Sequence, residues 1–183
     1  MYIPVKNTTF WVVMAALSIG FSAPLPVEAQ GPSTGIETAP AAISIQIVQL
    51  YFIAEDGRHL RAEPFEMAAG QRALALVREV LRALFQGPKT ALWPIFSRPL
   101  APRSFFIDDQ GTAYVDLPGT VGAAQPGGIA AEHLALYAIV NSLVLNVPEV
   151  TAVKVLIDGQ ETESFAGHID ISYPLTANLL LIR

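Results

Sequence analysis

The sequence has no cysteine among its 183 residues. That excludes a disulfide framework and a cysteine-built zinc site, and it leaves no acceptor for the lipid of a bacterial lipoprotein. Charge is also sparse, at 15% of residues, and the net balance is −5 with no long basic run. Nucleic acid, whose binding depends on clustered lysine and arginine, is therefore not an expected partner. The three histidines, His59, His133 and His168, lie far apart, and their spacing matches no metal-ligand pattern. There is no Gly-x-Ser-x-Gly elbow for a serine nucleophile. The glycine-rich "PGGIAAEH" lacks the Lys-Ser/Thr of a phosphate loop and reads as a flexible lead into a helix. No cofactor and no metal are expected.

What is plentiful is apolar residue, 52% of the chain. Some of it stands at the N-terminus. Lys6 precedes an uncharged run, Asn7 to Val27, with the apolar heart "FWVVMAALSIGF" from Phe10 to Phe21. A basic start, an apolar stretch and then small residues read as a secretory signal over residues 1–29, cut after "VEA", Val27 to Ala29. The competing reading is an uncleaved membrane anchor. It needs about 20 apolar residues, which this run reaches only by including Pro24 and Pro26. Either reading makes the protein an exported one. Residues 30–42, "QGPSTGIETAPAA", have no apolar periodicity and read as a linker. The folded domain is expected over 43–183.

Within that domain, Ile43, Ile45 and Ile47 alternate with polar residues, and β-branched and aromatic residues continue to Ile53. This predicts a strand. Glu55-Asp56-Gly57 turns the chain, and Leu60 to Phe65 returns. Leu74, Val77, Leu81 and Leu84 recur at helical spacing, and Gly87-Pro88 ends that helix. "RSFFIDDQGTAYVDLP" predicts a second hairpin. Ala130 to Val147 predicts a second helix, apolar around most of its circumference. In "VTAVKVLIDGQ", Val153, Val155 and Ile157 point inward against Lys154 and Asp158 outward, and Asp158-Gly159 turns the chain into a third hairpin. The expected class is α+β: a mixed or antiparallel sheet from three hairpins with two helices packed on it, in the order ββ-α-ββ-α-ββ.

The segments "LYFIAEDGRHL", "VLRALFQGP", "AYVDL", "EHLALYAIVNSLV", "VPEVTAVKVLIDGQ" and "AGHIDISYPL" occur in an order and at a spacing that resemble the GerM domain. That domain is named for a spore germination and sporulation protein and also occurs in exported proteins of bacteria that make no spores. The resemblance runs from about Val48 to Leu175 in a single copy, with Pro118 standing where members often carry serine. It implies a non-catalytic binding or assembly module at the cell envelope, linked in spore formers to a multi-protein envelope complex. It carries over no catalytic residue.

One stretch offers a rival from another class. Val155 to Ser172 gathers Asp158, Glu161, Glu163, His168 and Asp170. Two residues apart on a strand, Glu161 and Glu163 would stand about 7 Å apart, within the range of a glycosidase pair. A secreted hydrolase acting on cell-wall polymer would use Glu161, Glu163, His168 or Asp170. The plainer expectation is a hairpin with these groups in water and Ile157, Ile169 and Ile171 inward. The binding reading instead looks to sheet edges and to the second helix. There Leu134, Tyr137, Val144 and Leu145 exceed what one buried face requires and make a candidate partner surface. The expected partner is an envelope protein or cell-wall component. Membrane contact is expected only if the N-terminal segment stays, and homo-oligomerisation is left open.

Overall fold

The computed structural model describes residues 44–124 and 128–183. The expected signal and the whole of the expected linker lie outside the described residues. Strand β1 (Ile45–Ile53) pairs antiparallel with β2 (Leu60–Ala68). Helix α1 (Ala73–Gln86) follows. Strand β3 (Ser104–Ile107) pairs antiparallel with β4 (Thr112–Leu117). A single turn, α2 (Val121–Ala124), precedes the long helix α3 (Ile129–Val144) and then strand β5 (Ala152–Ile157).

The local signals hold where contacts are local. Asp56 fixes the first turn by accepting the Arg58 amide at 2.8 Å, and Gly57 takes φ +65°. Asp108 fixes the second by accepting the amides of Gln110 and Thr112 at 2.9 and 2.8 Å. In α1, Leu76, Val77, Val80, Leu81 and Leu84 are buried, each worth about 1.5–3 kcal/mol of transfer from water. Leu74, expected in that stripe, is exposed instead, one residue into the helix. Gly87 closes α1 with φ +92° and returns its amide to the Leu84 carbonyl.

Two expectations are corrected by long-range contacts. The strands form not one sheet but two, β1-β2 and a mixed β3-β4-β5. The third hairpin is absent, because β5 lies parallel to β4, in register from Thr112–Ala152 to Leu117–Ile157. After the Asp158-Gly159 turn the chain makes only isolated bridges, Ile157–Gln160, Ser164–Asp170, Val153–Leu175 and Leu60–Ile182. The backbone groups that would have built a return strand are taken by buried charges. Lys154 is only 3% exposed, not outward as expected, and its ammonium donates to the carbonyls of Ile171 and Ser172. Glu132 of α3 accepts the amides of Ala166, His168 and Ile169.

Helix α3 explains its own composition. It packs against β1, α1 and β5 at once. Leu136, Ile139, Val140 and Leu143 have no exposed surface, and Leu134 has 3%. A helix with neighbours on several sides must be apolar on several sides.

One turn gives a sharp test of packing. Gly111 has φ +83°, and a Cβ built there would stand 2.8 Å from the Glu149 carbonyl oxygen. Gly111→Ala therefore meets both left-handed strain and a backbone clash. We expect a loss of about 1–3 kcal/mol in urea unfolding. A loss under about 0.5 kcal/mol, the usual surface value, would mean that the 111 turn and the 149 loop are not packed as described.

Candidate functional site

The expected partner surface on α3 is reduced by its surroundings. Leu134 is buried and leaves the list. Tyr137 and Val144 are half-buried and pack against the core, and the Tyr137 ring meets His133 edge-on at 4.7 Å. Leu145, at the helix C-cap, is exposed.

Ser142 of α3 and Asn146 just past its end close a sheet edge that was expected to be open. Asn146 accepts the Gln49 amide at 2.8 Å and donates to the Gln49 carbonyl at 2.7 Å. Ser142 Oγ accepts the Tyr51 amide at 3.0 Å. Ile53 exchanges backbone hydrogen bonds with Trp93. From Gln49 to Ile53 the outer edge of β1 is thus occupied by side chains and a loop. On β2, Pro64 stands opposite Gln49, whose own amide and carbonyl turn away to α3, so the missing N–H of Pro64 falls on the outward side. Further along that edge Arg183 donates its amide to the Leu60 carbonyl. A partner strand has little to pair with at these positions.

The acidic stretch does not converge. Glu161 is exposed and reaches Lys154 at 3.3 Å. Glu163 is exposed, and it is its backbone carbonyl that accepts the Ile171 amide. Ser172 holds the Asp170 carboxyl below its ordinary value, through its side chain first and then through its amide at 2.8 Å. His168 has a buried carboxylate partner, donating from Nδ1 to Glu132 Oε2 at 2.8 Å. Among the described residues no three His, Asp or Glu side chains are placed to hold a metal ion. As for the inward residues, Ile171 is fully buried, and Ile157 and Ile169 are half-buried.

The buried charges share one role that the sequence reading missed. Glu63 of β2 accepts the amides of Lys89 and Thr90 and the Thr90 hydroxyl, which anchors the chain after α1. Asp116 of β4 accepts the Gly159 amide at 2.7 Å and faces Arg103 at 3.6 Å. Glu132 anchors 166–169, and Lys154 anchors 171–172. Burial pushes the Glu63 and Glu132 carboxyls up, but the donors around each outweigh it and hold both below the ordinary value. A general acid needs the opposite shift. The available signal was a lone charge inside an apolar run, as in "IAAEHLALY", "AYVDL" and "AVKVLI". Such a residue is kept inside only with partners.

A groove of about 700 Å³ runs between α1 and the connection from Pro94 to Phe105. Its floor is Leu81, Phe85, Phe96 and Phe105, with the Phe85 and Phe96 rings 5.4 Å apart. Its rim carries Arg78, Arg82 and Arg98. The Arg78 guanidinium lies 5.8 Å from the Phe105 ring centre, and Arg82 pairs with Glu79 at 2.8 Å. Sequence reading gives this helix an apolar stripe and an end at Gly87-Pro88. It could not see that a proline-rich connection folds back to make the facing wall.

Against known proteins, the fold has clear relatives. A candidate lipoprotein from Clostridium perfringens is 26% identical, with a TM-score of 0.50 over 75% of this chain and 91% of that one. The tandem GerMN domains of the sporulation protein GerM from Bacillus subtilis are 18% identical, with a TM-score of 0.53. That match covers 76% of this chain but 48% of the tandem chain. The first GerMN domain alone is 14% identical, with a TM-score of 0.53 over 72% of this chain and 97% of that one. No curated protein matches the sequence. A family model for sporulation and spore germination proteins matches residues 49–163, and on that match the chain belongs to the Germane, or GerM-like, family.

Proposed function

We propose that the protein is an exported, non-catalytic binding or assembly module of the bacterial cell envelope, acting in sporulation or germination where its owner makes spores. The observation that carries this reading is the use made of its buried charges. Glu63, Asp116, Glu132 and Lys154 each hold backbone groups of a loop, and none opens on the groove. The acids that a hydrolase would need, Glu161, Glu163 and Asp170, are exposed to solvent. Family membership and the envelope-type neighbour from Clostridium perfringens support the same place of action. The partner is an envelope protein or a cell-wall component.

The experiment is a two-armed one. Photo-crosslinking from surface positions in the producing cells is expected to trap a defined envelope partner. The purified protein, incubated with isolated cell walls, is expected to release no soluble fragments. Fragment release that disappears in a folded Glu161→Gln or Glu163→Gln variant would establish the hydrolase instead. Both variants are expected to unfold within about 0.5 kcal/mol of wild type. For export, N-terminal sequencing of the protein recovered from those cells is expected to begin at Gln30. A chain still starting at Met1 and sedimenting with membranes would make it an anchored protein.

A further inference from the structure

The groove between α1 and the 94–105 connection combines an apolar floor with a basic rim. Its floor is aromatic and aliphatic, while three of the 11 lysine and arginine residues of the whole chain line its rim. Among the described residues no Asp or Glu lines it, in a chain of net charge −5. Glu79 answers the charge of Arg82, but no ion pair among the described residues answers Arg78 or Arg98. Arg78 is instead supported by the face of Phe105. Guanidinium groups beside an apolar floor suit a ligand that presents carboxylates next to an apolar side chain. Pro94, Pro99 and Pro102 stiffen the facing wall, and a wall already in shape costs less to order on binding.

We propose that this groove binds an extended peptide segment of the envelope partner, with carboxylates flanking an aliphatic or aromatic anchor. The proposal rests on the binding-module reading and names the chemistry of its ligand. A peptide fits better than a membrane. Arg78 and Arg82 stand one turn apart on α1, and Arg98 lies in the facing connection, so the charges border a trough. An anionic bilayer is met by a protruding basic patch, and a chain with an acidic balance is repelled from it.

The test is selection from a random displayed-peptide library on the full mature chain, followed by affinity measurement. Enriched peptides are expected to place Asp or Glu beside Leu, Phe or Trp. Their affinity is expected to fall at least about tenfold in Arg78→Ser/Arg98→Ser and to weaken with added salt. The thermal midpoint of this double variant should match wild type, because both arginines are exposed. Enriched peptides without acidic residues, or ones that bind the double variant equally, would overturn the proposal, as would no enrichment at all. Peptides that respond to Leu145→Glu and ignore the arginines would also overturn it, while leaving the binding-module reading standing. Anionic phospholipid vesicles form the last arm. Sedimentation with them that depends on Arg78 and Arg98, without peptide binding, would assign the rim to a lipid surface and refute the peptide.

Discussion

Replacing Glu132 by alanine is expected to destabilise the protein by about 3–5 kcal/mol. The side chain is 2% exposed and accepts the amides of Ala166, His168 and Ile169 together with His168 Nδ1. Truncation leaves those donors without an acceptor, at about 1–3 kcal/mol for each one still buried. The 166–169 segment is only partly buried, so water reaches some of them and the full sum is not met. Glu132→Gln keeps one acceptor oxygen and nearly the same volume. It loses the charge that strengthens these bonds, for an expected cost of about 1–2 kcal/mol. The pH dependence has a definite sign. The folded carboxyl is held below its ordinary value of 4.5, so its contribution is complete above that value. It is then lost as pH falls through the depressed folded value. Glu63 adds in the same direction. Urea unfolding at neutral pH and near pH 3 should therefore give wild type a steeper acid loss than Glu132→Gln. If Glu132→Ala unfolds within about 0.5 kcal/mol of wild type at neutral pH, the anchoring role is wrong.

The first two hairpins were legible because Asp56-Gly57 and Asp108 with Gly111 satisfy their own backbones within a few residues. Helix α1 was legible because one face carries its apolar stripe. The parallel partnership of β4 with β5 was not, because its register links residues some forty positions apart through α2 and α3. The same alternation in "VKVLI" fits a hairpin equally well, and only Lys154 contradicts it. In a hairpin that lysine would face water; here it is buried under Ile171 and Ser172. The edge of β1 was misjudged for a related reason. Ser142, late in α3, and Asn146, just past its end, are ordinary polar residues until the fold brings Gln49 and Tyr51 beside them. The groove was out of reach too, since nothing in "SRPLAPRSFF" states which helix it will lie against.

Leu136→Ala is expected to cost about 2–5 kcal/mol, which decides what α3 can offer a partner. Leu136 has no exposed surface, and α3 contacts β1, α1 and β5. Neither sheet can collapse into the space without losing the other contacts, which favours the upper part of that range. Leu145→Ala, at the exposed end of the same helix, is expected to stay within about 0.5 kcal/mol. Tyr137→Ala should fall between them, because its ring is half-buried and gives up the edge-on contact with His133. Differential scanning of the three variants would order them Leu136, Tyr137, Leu145 from most to least destabilised. That order is the one required of a central core helix whose apolar excess faces other elements of its own fold. If Leu136→Ala proved as mild as Leu145→Ala, α3 would have to pack loosely enough to present its apolar face outward. The partner surface would then return from the arginine-rimmed groove to the helix.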